Sequence, residues 1–191
     1  MKIYLDMVGC RLNQSELESY AQKFKAQGHT LTGDPAEADL AVVNTCTVTA
    51  AAAADSRKKI RRFARKGAKE IIATGCWATL EPEKARELTD QTRVISNADK
   101  EELVSNVLGL SPRVFDREPL QRELIPGSRL RTRAFIKAQD GCDHRCTYCI
   151  TTLARGEGRS VPLSSILEQV RAAARGGAQE VVLTGVQLGS W

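Results

Sequence analysis

Short apolar runs alternate with amphipathic segments along the first half of the chain. The apolar runs predict strands, and the segments in which apolar residues recur every three or four positions predict helices. Strands are predicted over 2–5, 39–43, 70–73 and 93–95, and helices over 13–27, 48–66, 81–88 and 99–108. This alternation indicates an α/β fold in which a parallel sheet has helices on both faces, as in Rossmann-like and flavodoxin-like domains. We place this first domain over residues 1–108.

The alternation stops at Gly109, and a second unit begins near residue 131. Prolines and charged residues interrupt 109–130, which predicts a linker. Beyond it, residues 131–191 contain a predicted strand over 134–138, a helix over 164–175 and a strand over 180–184. About 60 residues bury little apolar surface on their own, so we expect this strand–helix–strand unit to belong to a larger domain.

Three of the six cysteines follow three of the predicted strands. Cys10, Cys46 and Cys76, the strand-end cysteines, stand at the turns where the first, second and third strands give way to helices. Because such turns share one edge of a parallel sheet, where open α/β folds bind ligands, we expect the three side chains to converge there. The alternative is three unrelated buried cysteines, since free cysteine commonly packs as a small apolar residue.

The other three cysteines share one short loop. Cys142, Cys146 and Cys149, the loop cysteines, are separated by three residues and then by two. Soft thiolate ligands select iron–sulfur clusters, zinc or copper(I). Three thiolates without an obvious fourth ligand suit a cluster with one open iron, whereas His144 would complete a zinc site of three cysteines and one histidine. The spacing alone leaves both metals open.

Composition favours a reducing environment for these thiols. The 191 residues are 42% apolar and 27% charged, which is ordinary for a globular protein. The sequence has neither a signal-peptide pattern nor a run of about 18 apolar residues, so we interpret the chain as cytoplasmic and not membrane-bound. Cytosolic cysteines stay reduced, which favours metal binding or catalysis over disulfides. The net charge of +5 favours a polyanionic partner such as nucleic acid.

Together these motifs resemble one enzyme family. The spacing of the loop cysteines, with Tyr148 directly before the last of them, resembles the signature of radical S-adenosylmethionine enzymes. The stretches GCRLN, NTC and TGC around the strand-end cysteines are similar to the motifs of the methylthiotransferases in that superfamily. The segment ARGEGRS, residues 154–160, also resembles the segment that follows the cysteine loop in this family.

The resemblance implies two [4Fe-4S] clusters, one on the loop cysteines and one on the strand-end cysteines. The first would bind S-adenosylmethionine, the source of a 5'-deoxyadenosyl radical that no side chain can replace. Tyr148 would pack beside the adenine, or else serve as a core aromatic residue, and Thr184 and Gly185 would lie near the cofactor. The second unit would begin a partial (β/α) barrel. A sulfur source and an electron donor such as flavodoxin or ferredoxin would be partners.

Within the family, the stretches GCRLNQ and NTCTVT look most similar to the branch that acts on N6-threonylcarbamoyladenosine beside the tRNA anticodon. Isopentenyladenosine in tRNA and an aspartate of a ribosomal protein are the alternative substrates. A basic segment agrees with tRNA as partner, because Arg57, Arg61 and Arg65 share one face of the predicted helix 48–66, with Arg62 beside them. Solvation of a charged helix face is the alternative reading of this segment.

Two other classes of protein are compatible with parts of the pattern. A zinc-containing RNA-binding module would need neither S-adenosylmethionine nor an electron donor. An electron carrier normally has four cysteines for each closed cluster, whereas this chain has two groups of three cysteines. Because most of the barrel wall is missing from the 191 residues, we expect them to fold the first domain without completing a catalytic cycle.

Overall fold

The computed structural model describes residues 1–115 and 133–191. Within these ranges the strands are β1 (Lys2–Met7), β2 (Thr30–Thr32), β3 (Leu40–Thr45), β4 (Glu70–Gly75), β5 (Thr92–Val94), β6 (Arg133–Lys137), β7 (Gln139–Asp140), β8 (Arg159–Ser160) and β9 (Glu180–Thr184). The helices are α1 (Arg11–Ala26), α2 (Ala50–Lys66), α3 (Cys76–Leu80), α4 (Pro82–Arg86), α5 (Leu103–Leu108), α6 (Ile150–Arg155) and α7 (Leu163–Arg175).

The first five strands form one parallel sheet in the order β2-β1-β3-β4-β5. This is the strand order of flavodoxin-like folds, so the predicted parallel α/β architecture is confirmed. The strand order changes direction between β1 and β3, because β2 lies on one side of β1 and β3 on the other. Open α/β sheets bind ligands at such a switch point, outside the carboxyl ends of the strands.

Helices cover both faces of this sheet. On one face α1 buries Leu17, Tyr20 and Phe24 against β1 and β3, and on the other α2 buries Ile60 and Phe63 against β3 and β4. Every residue of β3 is buried, as expected for a central parallel strand. The sheet therefore has a core on each face, and its carboxyl edge is positioned by both.

The second unit packs directly on the first. The parallel strands β6 and β9 are joined through α7, which buries Ile166 against Ile136 and Ala138. β6 also lies against α1, and the backbone N–H of Phe135 donates to Glu18 Oε2 at 3.0 Å. The loop that follows β6 is therefore brought to the same side of the molecule as the start of α1.

The structure differs from the predicted elements in several short segments. The helix predicted over 81–88 is confirmed as the shorter α4, which Pro82 starts after a break at Glu81, whereas α3 before it was not predicted. β2, β7, β8 and α6 were not predicted, since each has only two to six residues and shows no clear period. Most of the predicted linker, from residue 116 onward, lies outside the described residues, and the domain boundaries stay a prediction.

No helix in the described ranges combines the length and the apolar character that a membrane span requires.

Candidate metal centres

The strand-end cysteines lie at the carboxyl ends of three neighbouring strands. Cys10 follows β1 and precedes α1, Cys46 follows β3, and Cys76 follows β4 as the first residue of α3. β1, β3 and β4 pair in parallel, so the three turns lie on the same edge of the sheet. Cys46 and Cys76 are buried and Cys10 is exposed, which gives this group one side open to solvent.

Asn13 joins the turns of Cys10 and Cys46. Its side-chain Nδ2 donates to the backbone oxygens of Val8 at 2.8 Å and Thr45 at 3.2 Å, while Cys10 Sγ lies 3.7 Å from Asn13 Oδ1. The backbone before Cys10 also touches Cys46, because a Cβ on Gly9 would lie only 2.8 Å from Cys46 Sγ. These contacts place the first two turns side by side at the switch point.

The turns of Cys46 and Cys76 are similarly joined. Thr45 Oγ1 donates to the backbone oxygen of Thr74 at 2.6 Å and accepts from Ala78 N at 3.0 Å. Burial raises the pKa of the Cys76 thiol, and the neighbouring Cys46 adds to this effect. Each of the strand-end cysteines is thus linked through its turn to the next one.

The loop cysteines lie between β7 and α6. Cys142 is buried, and its backbone N–H donates to Gly156 O at 3.1 Å, while Cys146 is exposed. Cys149 directly precedes α6, where the backbone N–H groups of Thr152 and Thr151 lower the pKa of its thiol. A thiol held toward its ionised form is suited to binding a metal, because the thiolate is the ligand.

Three of the four buried side-chain polar atoms without partners in the described residues belong to residues near the strand-end cysteines, and the fourth is the Tyr20 hydroxyl. Asn44 Oδ1, Thr74 Oγ1 and Asn97 Oδ1 find no hydrogen-bond partner within 1–115 and 133–191. Asn44 and Thr74 each lie two residues before a cysteine, and Asn97 Nδ2 contacts Cys76 Sγ at 3.8 Å. Unsatisfied buried groups are rare in native proteins, so the surroundings fit a site that accommodates a further group. In the described part of the chain, no three His, Cys, Asp or Glu side chains are grouped to hold a single metal ion.

A residue that sequence reasoning did not single out connects the two cysteine groups. Arg155, at the end of α6, is 3% exposed, and its Nη2 donates to Asn13 Oδ1 at 2.7 Å. The preceding residue, Ala154, accepts from Asn97 Nδ2 at 2.7 Å. Residues 154–156, which we call the α6 turn, therefore contact the surroundings of Cys10 and Cys76, and through Gly156 also the loop cysteines.

Arg155 belongs to a buried ion cluster formed by both units. Its members are Glu16 on α1, Lys100, Lys137 on β6, Asp140 on β7 and Arg155. Burial opposes ionisation of Glu16, but Arg155, Lys100 and Lys137 outweigh it and lower the pKa of Glu16 to about 2. Asp140 is likewise held ionised, with its pKa lowered by Lys100 and Arg155 against the effect of burial. The buried opposite charges of this cluster therefore hold the two units together, because separating the units would leave each charge without its partner.

The sequence pattern of α1 indicates part of this cluster and its surroundings. Glu16 and Asn13 lie four residues before Tyr20 and Leu17, so these two polar residues continue the apolar face of α1 at its first turns. Both are buried. A polar residue on the buried side of a helix needs a partner, which marks these positions as candidates for a site.

Other residues chosen from the sequence lie near the loop. Tyr148 is 90% exposed, so its alternative role as a core aromatic is wrong, while its contact with adenine stays a prediction. His144 is exposed, and its backbone oxygen accepts from Thr152 Oγ1 at 3.4 Å. Thr184 ends β9 and is buried, and Gly185 follows it against Gln139. Both therefore lie at the carboxyl end of the β6–β9 pair.

The basic segment forms α2, as predicted. Arg57, Arg61 and Arg65 lie four residues apart on this helix, but Arg57 is half-buried and stacks over the Trp77 ring at 5.7 Å. Arg61, Arg62 and Arg65 are exposed and have no ion-pair partner in the described ranges. The exposed basic face of α2 therefore includes these three arginines, while Arg57 lies over Trp77 beside Cys76 and its contact with RNA stays a prediction.

Gly75 is required where β4 turns into Cys76. Its φ is +88°, and a Cβ there would lie 2.2 Å from Asn44 Oδ1 and 2.5 Å from Thr45 O. We expect Gly75→Ala to lower the free energy of unfolding by about 3 kcal/mol or more, because backbone strain and a clash add. Gly67→Ala is the control: φ there is +93°, nothing lies within 4 Å, and the loss should be about 1 kcal/mol. Denaturant unfolding of the metal-free chain measures both, and equal losses would contradict the packing at this turn.

Two families match separate parts of the chain. The family described as "Uncharacterized protein family UPF0004" matches residues 2–96, and the radical SAM superfamily matches residues 136–187. The first match covers the parallel sheet with the strand-end cysteines, and the second covers the loop cysteines. The radical SAM superfamily uses S-adenosylmethionine and an iron–sulfur cluster, and the loop cysteines fit that requirement.

Individual relatives carry both parts in the same order. The threonylcarbamoyladenosine tRNA methylthiotransferase MtaB of Aquifex aeolicus is 34% identical over 100% of this chain and 49% of its own length, and that of Thermotoga maritima is 36% identical over 99% and 45%. The ribosomal protein uS12 methylthiotransferase RimO of Carboxydothermus hydrogenoformans is 32% identical over 96% and 44%. The chain spans about half the length of the relatives it matches. Because both family matches occur in one chain and these relatives match nearly all of it, the chain belongs to the radical S-adenosylmethionine methylthiotransferase family.

Proposed function

We propose that the protein is a cytoplasmic tRNA methylthiotransferase that adds a methylthio group to N6-threonylcarbamoyladenosine next to the anticodon. The observation that carries this proposal is that the α6 turn contacts the surroundings of both cysteine groups. Two centres that serve one reaction must lie close together, and the shared contacts of this turn support such an arrangement. The relatives named for this activity are 34% and 36% identical to the chain, against 32% for the relative named for ribosomal protein uS12, which supports the choice of substrate.

Each cysteine group would hold one [4Fe-4S] cluster. The loop cysteines would leave one iron open for S-adenosylmethionine, and when bound this cluster supplies the electron that cleaves the cofactor. Thr184 and Gly185, at the end of β9, would contact the cofactor, and exposed Tyr148 is free to cover the adenine. An electron donor such as flavodoxin or ferredoxin and a sulfur source belong to the same proposal.

The exposed arginines of α2 would bind tRNA phosphates. We expect the double substitution Arg61→Glu and Arg65→Glu to weaken tRNA binding about tenfold or more and to lower the salt slope of log K by about 2, because two phosphate contacts are lost. Replacing Lys84 and Arg86 on α4 by glutamate makes the same change in charge and serves as control. tRNA binding measured across a salt series tests this prediction. Equal losses of affinity in the two variants would mean that α2 is a solvated helix face and does not bind tRNA.

Nucleoside analysis of tRNA tests the proposed activity directly. Cells of the source organism without the gene should lack 2-methylthio-N6-threonylcarbamoyladenosine while retaining N6-threonylcarbamoyladenosine. The intact gene should restore the modification, and genes carrying Cys46→Ala or Cys146→Ala should not. Loss of the methylthiolated isopentenyladenosine would assign the protein to that branch instead. Unchanged tRNA with an unmodified ribosomal-protein aspartate would assign it to the protein-modifying branch.

A further inference from the structure

The α6 turn holds the loop cysteines from one side. Gly156 O accepts the backbone N–H of Cys142 at 3.1 Å, and Arg155 Nη1 donates to Asp140 Oδ1 at 2.9 Å. Asp140 also fixes the start of the loop, because its Oδ1 accepts the backbone N–H of Gly141 at 2.9 Å. The beginning of the cysteine loop is therefore tied to Arg155 by backbone and side-chain bonds.

Two asparagine amides hold the same turn from the other side. Asn13 Oδ1 lies 2.7 Å from Arg155 Nη2 and 3.7 Å from Cys10 Sγ. Asn97 Nδ2 lies 2.7 Å from Ala154 O and 3.8 Å from Cys76 Sγ. Each amide therefore contacts both the α6 turn and a strand-end cysteine. A shift of the turn would change the surroundings of both Cys10 and Cys76.

The chemistry of the guanidinium suits this position. Arg155 donates to Asn13, Glu16 and Asp140, three acceptors in different directions, and a planar group with five N–H donors can satisfy them together. Lysine keeps the charge but offers a single point of attachment. Because the group is almost fully buried, moving the units apart would leave charges without partners, which makes the arrangement rigid.

We propose that Arg155 is a positioning residue that fixes the loop cysteines at one set distance from the strand-end cysteines. This role rests on the proposed function, in which both groups carry clusters that serve one reaction. A reaction that depends on two centres is sensitive to small changes in their separation, so a rigid connection has a functional purpose.

Hydrogen exchange on the metal-free chain gives the first test. Arg155→Gln should speed exchange of the Cys142 amide about a hundredfold, and Arg155→Lys should have a smaller effect. Arg133→Gln, which removes the exposed pair with Glu180, should change nothing at Cys142. Amides of β3 should keep wild-type rates in all variants, showing that the first domain stays folded. Asn97→Ala removes the second connection without removing a charge, and Arg155→Lys, which keeps the charge, decides the role of Arg155 if Arg155→Gln unfolds.

Spectroscopy of the iron-loaded chain gives the second test. After anaerobic loading with iron and sulfide and full reduction, the wild type and Arg133→Gln should show one spin–spin interaction between two clusters. Arg155→Gln should keep the iron content and lose or alter that interaction, with partial recovery in Arg155→Lys. Wild-type exchange and wild-type coupling in Arg155→Gln would overturn the positioning role. Uptake of zinc instead of iron would overturn the proposed function, and the exchange rates would still decide the role of Arg155.

Discussion

Acidification of the metal-free chain from about pH 5 to about pH 2 is expected to remove about 3 kcal/mol of folding free energy through Glu16 alone. The pKa of Glu16 is about 2 in the folded chain against an ordinary value of 4.5. Because the folded value is the lower one, the stabilisation is complete above the unfolded pKa and is lost as the pH falls through the folded one. Asp140, whose pKa is also lowered, adds to the loss in the same direction. Urea unfolding at a series of pH values measures this slope.

Glu16→Gln isolates the contribution of this carboxylate. The variant should be about 3–5 kcal/mol less stable than the wild type at pH 7, because Arg155 and Lys100 lose a buried counter-charge, and its acid dependence should be weaker. Glu37→Gln is the matched control, since Glu37 forms an exposed pair with Lys2 that is worth about 1 kcal/mol at most. Identical acid profiles for the wild type and Glu16→Gln would contradict the ion cluster.

Single cysteine substitutions should each remove one centre and leave the other. Cys146→Ala and Cys46→Ala are each expected to keep about four of about eight irons per chain after anaerobic loading, because the two groups stand on different elements. His144→Ala is the control, since a cluster held by three thiolates does not need this exposed side chain. Iron and sulfide analysis of the purified variants measures the split.

Two results would contradict this division. Loss of all metal in either cysteine variant would mean that the six cysteines form one site. Loss of metal in His144→Ala together with Cys146→Ala, but not in Cys46→Ala, would favour a site of three cysteines and a histidine in the loop, which is the arrangement typical of zinc.

The architecture of the first domain was accessible from sequence because its pattern is local. β1, β3 and β4 are apolar runs that end at a turn, and α1 and α2 have apolar residues at helical spacing. Once the strands are parallel, topology alone brings Cys10, Cys46 and Cys76 to one edge. β2, β7 and β8 were not predicted, because two or three residues without a distinct apolar run show no period.

The connection between the two units was not accessible in the same way. Arg155 and Asn13 are separated by 142 positions, and no local pattern pairs them. The motif containing Arg155 indicates a family resemblance but not the role of its side chain. That role depends on the buried acceptors around the guanidinium. The same holds for Arg57, whose place on a basic helix suggested an exposed group, whereas Trp77 holds it against the sheet edge. Long-range packing decides both cases.

Metal analysis of the anaerobically loaded wild-type chain tests the central claim most directly. Two iron–sulfur centres, one on the strand-end cysteines and one on the loop cysteines, predict about eight irons and about eight sulfides per chain, with a brown colour and broad visible absorption. Stoichiometric zinc in a colourless protein, without bound iron or sulfide, would contradict the account.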